Sequence, residues 1–298
     1  MTTSSARALL EGLVDYAGLF PPAALSMEDA AAEYARWRRS PEAWMLGRFV
    51  LPAARLRDLA RDADAHLPEA GAGEPWRLSA LVSADVHGDS SVLTSFNRSH
   101  AGRAVVDAVE LKAGSAQDAD AALEALPAGL TAFVEVPPGE ELDGLLSTLR
   151  RRGARAKVRT GGVVPHAIPD PADLARFIAA CAAGSVPWKA TAGLHHPIRA
   201  ERALTYEPQS PRAVMHGFLN VFAAAAFAGG GTPAADLEAA LREEDPAAFR
   251  LDEDGLSWRH LHVATAELAR SRHDFASSFG SCSFAEPVAD LRSLGVLP

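Results

Sequence analysis

Eight short runs rich in β-branched residues recur along this chain, and helix-like segments rich in alanine lie between most of them. Successive residues of a strand point to opposite faces, whereas helical segments repeat their apolar residues every three or four positions. Strands that alternate with helices predict parallel βαβ units. The predicted strands cover residues 12–18, 47–53, 77–84, 104–112, 130–137, 154–160, 186–193 and 274–281.

Eight such units fit a closed (β/α)8 barrel, the TIM-barrel architecture of the α/β class, and 298 residues are enough for one such domain over 1–298. An open doubly wound sheet is the alternative, although no glycine-rich nucleotide-binding loop follows the first strand. Helices are predicted over 27–39, 140–153 and 170–184, the last opened by Asp170 and Pro171 and closed by Gly184.

The spacing of the strands is uneven at one place, between the seventh and the eighth. We predict that residues 194–273 form an insertion over the barrel, with an apolar helix (212–228), a polar helix and a hairpin (249–258). This insertion is a candidate lid or homo-oligomer interface.

Charge and composition narrow the class of partner. A net charge of −9 argues against nucleic acid. The longest apolar run, 218–231, is too short to span a bilayer, and the first residues lack a secretory pattern. Cys181 and Cys282 have no metal-type spacing and predict no disulfide framework. We therefore expect a cytoplasmic protein that acts on a small molecule, without a membrane partner.

Charged residues mark the C-terminal ends of four predicted strands, where barrel enzymes keep their chemistry. Alternation places Lys157 and Arg159 on one face of their strand, and Lys189 ends the next strand. Glu110 and Glu135 end two earlier strands. Salt bridges that close the barrel mouth would explain the two glutamates equally well.

The two lysines predict more than a structural role. Each follows an apolar run and precedes small residues that let a ligand approach, and an unpaired buried ammonium is costly. An amine attacks a carbonyl only when neutral, and a second cation nearby lowers its pKa. Lys157 and Lys189 therefore predict Schiff-base chemistry, in which one amine attacks and the other keeps it deprotonated.

The order of these segments resembles the deoxyribose-phosphate aldolases of the class I aldolase superfamily. "KVRTGG" (157–162) resembles that family's Lys-x-x-Thr-Gly motif, and "WKATAGL" (188–194) is similar to its next strand with a second lysine. The likeness continues, in chain order, in "LVDYAGL" (13–19), "RFVLPAAR" (48–55), "LSALVSADVHG" (78–88), "VDAVELK" (106–112), "LTAFVEVPPG" (130–139) and "SFGSCS" (278–283), the last similar to a strand that meets the substrate phosphate.

The resemblance implies a barrel in which Lys157 forms the Schiff base, Lys189 tunes its pKa and Glu110, in place of an aspartate, shuttles protons. The predicted chemistry needs no metal and no other cofactor. Asp15, in the mouth loop 15–23, is expected to hold a water or a lysine. The further predicted substrate-binding residues are Glu135, Arg159, Thr160, His195, Gly280 and Ser281.

The chain departs from that family after the second lysine. Ala192, Gly193 and "LHHP" replace two glycines and an Arg-Thr, which weakens the phosphate site. Arg159 adds a planar cation suited to a carboxylate. We therefore expect a Schiff-base aldolase or lyase for a small carbonyl compound that carries a carboxylate or another anionic group.

Two other classes remain open. In a metal-dependent lyase, isomerase or hydrolase, His195 or His196 would join Glu110, Glu135 or His166 around a divalent ion. Consecutive histidines on an extended backbone would face opposite ways, so only one of them would serve as a ligand. The third class is a barrel without catalysis that acts as a binding subunit.

Overall fold

The computed structural model describes residues 2–137 and 142–298. Eight parallel strands close into a barrel and alternate with helices, which confirms the predicted (β/α)8 fold. The strands are β1 (Val14–Tyr16), β2 (Leu46–Pro52), β3 (Trp76–Leu81), β4 (Ala104–Lys112), β5 (Thr131–Glu135), β6 (Arg155–Arg159), β7 (Trp188–Thr191), β8 (Ala200–Ala203), β9 (Arg212–Met215), β10 (Phe249–Leu251), β11 (Gly255–Trp258), β12 (Leu261–Ala264) and β13 (Ala276–Ser281). Around the barrel their order is β1, β13, β7, β6, β5, β4, β3, β2.

The helices follow the strands in sequence, and several begin at the capping residues that the sequence offers. Ser26, Ser115 and Asp170 each accept a hydrogen bond from a backbone N–H of the first turn. The predicted helix start at 140–141 lies outside the described residues. The helices are α1 (Ser4–Leu10), α2 (Met27–Trp37), α3 (Leu56–Asp62), α4 (Val86–Ser99), α5 (Ala116–Glu124), α6 (Leu142–Arg152), α7 (Pro171–Gly184), α8 (Phe218–Ala228), α9 (Ala234–Arg242), α10 (Thr265–Asp274) and α11 (Ala285–Ser293).

The register of the barrel sets the height of the charged side chains. Lys157 on β6 lies directly beside Lys189 on β7 and beside Glu135 on β5. Side chains at the same height on neighbouring strands can meet inside a barrel when they point inward. The barrel therefore brings these three charged groups to one level near the C-terminal end.

One predicted helix boundary is wrong. The apolar helix begins at Phe218 rather than at 212, because Arg212–Met215 pairs antiparallel with Ala200–Ala203. Helix α7 ends at Gly184 as predicted, but Ser185, not the glycine, takes the left-handed conformation, with φ of 51°. Sequence favours glycine at such a position, but a single non-glycine residue can occupy it.

The expectation that all of 194–273 lies over the barrel is also wrong. Within this segment, the two histidines His195 and His196 and the hairpin of β8 and β9 line the cavity at the C-terminal mouth. Helix α8 is buried along its whole length, in contact with α7, α9 and β13. The predicted hairpin 249–258 is confirmed and gains β12 as a third strand, but this sheet contacts α1 and α10. Among the described residues, no helix is long and apolar enough to cross a membrane.

Candidate active site

A cavity of about 620 Å³ opens at the C-terminal ends of the barrel strands. Strand ends form its floor, and the mouth loop around Phe20 and Pro22 and the hairpin residue Tyr206 form part of its wall. Six of the predicted site residues line it: Glu110, Glu135, Lys157, Arg159, His195 and Gly280. The position matches the end of the barrel where catalytic groups are expected.

Glu110 lies between the two lysines on the cavity floor. Its Oε2 accepts a hydrogen bond from Nζ of Lys157 at 3.2 Å, and its Oε1 accepts one from Nζ of Lys189 at 2.7 Å. The hydroxyl of Ser79 also donates to Oε1, at 2.9 Å. Burial raises the pKa of Glu110, but the two ammonium groups outweigh burial and hold that pKa at about 2. The carboxylate is therefore ionised at neutral pH.

Lys189 is enclosed below the cavity and does not line it. Its side chain is 1% exposed, and its Nζ is 2.5 Å from Oδ2 of Asp15. Asp15, which was predicted to hold a water or a lysine, thus holds a lysine, and it also accepts hydrogen bonds from Ser278 Oγ and the Arg48 N–H at 2.8 Å each. Burial lowers the pKa of Lys189, but Asp15 and Glu110 outweigh it and raise the pKa above its usual value. Lys189 therefore stays an ammonium.

Lys157 lines the cavity, and its side chain is also buried, at 4% exposed. Besides Glu110, its Nζ contacts Oε2 of Glu135 at 3.0 Å. Burial raises the pKa of Glu135, but Lys157 and Arg159 outweigh burial and lower it below its usual value. Lys157 is therefore the buried amine that a ligand in the cavity would meet, with two carboxylates in contact with it.

This arrangement corrects the expected pair of unpaired ammonium groups. Three carboxylates, those of Asp15, Glu110 and Glu135, contact the two amines, and Glu110 lies between them. A carboxylate in that position screens the repulsion between two cations. The costly burial of two amines is thus offset by ion pairing, and direct repulsion does not describe the cluster.

The glycines that follow the two lysines have a structural reason besides the predicted one. Gly161 and Gly193 lie against each other, so that a Cβ on Gly193 would come within 2.6 Å of the Cα of Gly161. Gly193 also has φ of +79°. These glycines let the loops after β6 and β7 touch, and Gly162 and Gly193 also line the cavity, as expected of small residues beside a ligand site.

Two predicted substrate-binding residues do not line the cavity. Thr160 is buried, and its hydroxyl donates to the backbone oxygen of Ala192 at 2.5 Å, tying the same two loops together. Ser281 is also buried, and its Oγ accepts a hydrogen bond from the N–H of Ser283 at 3.3 Å. Gly280, next to it, does line the cavity. The expected anion site at the end of β13 is therefore reduced to backbone near Gly280.

The two histidines turn toward the same helix, contrary to the expectation that they face opposite ways. His195 Nδ1 is 2.9 Å from Oε2 of Glu286, and His196 Nδ1 is 2.6 Å from Oδ2 of Asp290. The chain is not extended just before the histidines, because Ala192 has φ of 60° and Gly193 has φ of 79°. Glu286 and Asp290 are one turn apart on α11, which fits the parallel pairing.

The grouping of histidine with the floor carboxylates is not formed. His195 is bonded to Glu286 rather than to Glu110 or Glu135, and His166 lies outside the cavity lining. Within residues 2–137 and 142–298, no group of three or more His, Cys, Asp or Glu side chains is arranged to hold a metal ion.

Sequence reasoning missed one signal that the composition carries. The chain has only three lysines among its 29 lysine and arginine residues, and these are Lys112, Lys157 and Lys189. All three lie on barrel strands: Lys112 is the last residue of β4, Lys157 the middle residue of β6 and Lys189 the second residue of β7. Arginine is the cation everywhere else in this sequence, and unlike a guanidinium a lysine ammonium can lose its proton. Tyr206 and Glu286, also on the cavity wall, carried no signal in the sequence.

Comparison with known proteins gives no match to any family model and no significant similarity to a curated protein. The likeness to deoxyribose-phosphate aldolases therefore stays a prediction from the quoted motifs.

Proposed function

We propose that this protein is a Schiff-base-forming aldolase or lyase that acts on a small carbonyl compound with an anionic group. The observation that carries the proposal is the Nζ atom of Lys157, which lies on the wall of a 620 Å³ cavity with Glu110 and Glu135 at 3.2 and 3.0 Å. A buried amine at the mouth of a barrel can act as a nucleophile when an adjacent general base takes its proton.

Lys157 is the candidate nucleophile among the three lysines. Lys189 lies below the cavity and does not line it, so a ligand in the cavity does not meet its amine. Lys112 lines the cavity, but its side chain is 76% exposed, so its amine lies in solvent rather than in a buried site. Lys157 alone combines burial with access to a ligand.

Proton transfer between Lys157 and its carboxylates would begin the reaction. Glu135 or Glu110 accepts a proton from the ammonium, and the neutral amine adds to the carbonyl carbon. The resulting carbinolamine loses water, for which a carboxylic acid supplies the proton, and leaves an iminium. The bond between the α and β carbons of the substrate then breaks. The β-hydroxyl group loses its proton and becomes a carbonyl, and the electron pair of the broken bond forms the enamine. Lys189 holds Glu110 in place for these transfers.

The cations at the mouth support an anionic substrate. Arg159 lines the cavity with a side chain that is 44% exposed, and its Nε is 3.6 Å from Oε1 of Glu135. A guanidinium in this position can form a paired hydrogen bond with a carboxylate. Because Ser281 does not reach the cavity, a carboxylate suits the site better than a phosphate.

A cytoplasmic location and a partner other than nucleic acid belong to the same proposal. They are supported by the net charge of −9 and by the two buried cysteines, Cys181 and Cys282, which form no disulfide. The role of the insertion in a homo-oligomer stays a prediction.

Borohydride trapping tests the proposal. The native protein is incubated with sodium borohydride in the presence of one carbonyl compound at a time: pyruvate, another small 2-oxo acid or a small aldehyde. The adduct is located by peptide mapping. We expect a reduced adduct on Lys157 with at least one compound. Lys112→Arg is the matched control and should trap equally, whereas Lys157→Arg should not. Native protein that stays unmodified across the panel, or an adduct on Lys189, would contradict the proposal.

A further inference from the structure

A second cluster of titratable groups lines the cavity above the lysines. It consists of His195, which follows β7, Glu286 on α11 and Tyr206 on the loop of the β8–β9 hairpin. Oε2 of Glu286 accepts from both sides, with His195 Nδ1 at 2.9 Å and the Tyr206 hydroxyl at 3.1 Å. The contacts of Lys157, Glu110 and Glu135 do not include these three side chains.

The carboxylate of Glu286 fixes the tautomer of the His195 imidazole. Burial raises the pKa of Glu286, but the hydrogen bond and charge of His195 and the hydrogen bond of Tyr206 lower it below its usual value. An ionised carboxylate can only accept, so Nδ1 of His195 carries the hydrogen. In the neutral ring the lone pair is then on Nε2, for which no hydrogen-bond partner occurs in the described part of the chain. A carboxylate that orients an imidazole through Nδ1 is the general arrangement of an acid–base histidine.

The carboxylates near the lysines already accept hydrogen bonds from, or form ion pairs with, neighbouring side chains. Oε1 of Glu110 accepts from Lys189 and Ser79, and its Oε2 accepts from Lys157. Glu135 is held between Lys157 and Arg159. A substrate oxygen that lies beyond the carbonyl carbon therefore needs another proton acceptor, and His195 is on the same cavity wall.

We propose that His195 is the general acid–base residue for the oxygen on the β carbon of the substrate, with Glu286 and Tyr206 as positioning residues. The inference rests on the proposed function. In the cleavage direction, Nε2 accepts the proton of the β-hydroxyl group, the carbon–carbon bond breaks, the oxygen electrons form the new carbonyl, and the electron pair of the broken bond passes to the iminium to give the enamine. In the synthetic direction, the imidazolium returns that proton to the oxygen of the acceptor aldehyde as the new bond forms.

His196 provides a matched comparison. Its ring is also bonded through Nδ1 to a carboxylate of α11, Asp290, and it also lines the cavity. It differs in being more exposed, at 20% against 11% for His195, and Tyr206 is bonded to the carboxylate of His195 only. A better shielded imidazole with a doubly held carboxylate is the more pre-organised of the two.

Two partial reactions separate the roles of Lys157 and His195. Exchange of the methyl protons of pyruvate in deuterium oxide, followed by NMR, requires the enamine but no β oxygen. Addition of pyruvate to a panel of small aldehydes, beginning with glycolaldehyde, requires both. We expect His195→Gln to retain exchange within about threefold and borohydride trapping on Lys157, while addition falls roughly 10²- to 10⁴-fold. Imidazole should restore part of the lost addition rate in His195→Ala, and His196→Gln should add at close to the native rate.

Glu286→Gln tests positioning. The amide no longer forces the hydrogen onto Nδ1, so addition should fall about tenfold or more with exchange retained, whereas Glu286→Asp should recover part of it.

The outcomes separate the two proposals. No trapping and no exchange in the native protein would overturn the proposed function itself. Trapping with native rates of addition in His195→Gln would overturn only the role of His195, as would loss in His196→Gln alone, absence of imidazole rescue, or a native protein that exchanges but adds to no aldehyde.

Discussion

The two ends of the barrel both carry clustered charges, but they use different cations. At the C-terminal end, Lys157 and Lys189 share Glu110. Toward the N-terminal end, Arg48 on β2 and Arg77 on β3 share Asp107 on β4, each at 2.6 Å. A cavity opens at both ends, of about 620 Å³ beside the lysines and about 300 Å³ beside the arginines.

The two clusters differ in whether their cations can transfer a proton. A guanidinium keeps its proton at any pH a protein experiences, so the arginine cluster can only hold strands together or attract an anion. An ammonium in contact with carboxylates can transfer its proton. Arginine supplies almost every other cation of this chain, so the lysine cluster is the cluster in which our proposal places proton transfer.

The largest expected effect comes from making the C-terminal cluster resemble the N-terminal one. Lys157→Arg keeps the positive charge beside Glu110 and Glu135 but removes the nucleophilic amine. We expect loss of the borohydride adduct and a fall of roughly 10³-fold or more in pyruvate proton exchange, because the residual rate would come from the rest of the site alone. Exchange at the native rate in this variant would show that the amine of Lys157 is not needed, and would contradict the proposed chemical difference between the two ends.

Removal of the shared carboxylate should damage stability at the lysine end. Glu110→Gln leaves Lys189 with Asp15 and Lys157 with Glu135, inside a buried site. Breaking a buried ionic network costs roughly 3–5 kcal/mol of the free energy of unfolding. Urea unfolding at neutral pH measures this loss, and Glu110→Asp, which keeps the charge, should lose less. A loss in Glu110→Asp as large as that in Glu110→Gln would show that the position of the carboxylate matters as much as its charge.

Acid should weaken the native protein more than Glu110→Gln. The folded-state pKa of Glu110 is about 2, below its ordinary value of 4.5, so its contribution is present above about pH 4.5 and is lost as the pH falls toward about 2. The difference in unfolding free energy between native protein and variant should therefore shrink across that window. If the difference stays constant from neutral pH down to about pH 2.5, an ionised Glu110 in the folded state is contradicted.

A smaller effect is expected when the arginine cluster loses its carboxylate. Asp107→Asn removes the charge that Arg48 and Arg77 share, but both arginines have some access to water. We expect a loss of about 1–2 kcal/mol in the free energy of unfolding. Borohydride trapping on Lys157 should remain at the native level, and its loss would mean that the two ends are coupled.

The smallest effect is expected at the exposed lysine. Lys112 is 3.9 Å from Glu135 with a largely solvated side chain, so Lys112→Arg should change the free energy of unfolding by less than about 0.5 kcal/mol. Trapping in this variant should match that of the native protein. A large loss of trapping would show that Lys112 takes part in forming the adduct.

Alternation along the strands made the barrel and its inward lysines predictable. "AKVRTGG" and "WKATAG" end in the two strands that place Lys157 beside Lys189, and the structure has that register. The neighbouring strands also placed Glu110 and Glu135 at the same end. A repeating strand and a local break are local properties, and sequence reports them well.

The partners of these residues were less predictable because they are distant in the chain. Lys189 and Asp15 are 174 residues apart, and His195 and Glu286 are 91 residues apart. The turn of both histidines toward α11 depends on positive φ at Ala192 and Gly193, and alanine gives little warning of such a conformation. The hairpin that carries Tyr206 was hidden because its second strand, Arg212–Met215, leads directly into an apolar helix.

The most direct test of the central claim is to observe the carbon–nitrogen bond on Lys157. Protein labelled with ε-¹⁵N-lysine contains three labelled side chains, and a ligand from the trapping panel can carry ¹³C at its carbonyl carbon. We predict a one-bond ¹³C–¹⁵N coupling in the native protein and in Lys112→Arg that disappears in Lys157→Arg. A coupling that survives in Lys157→Arg, or none in native protein with any compound of the panel, would contradict a Schiff base at this amine.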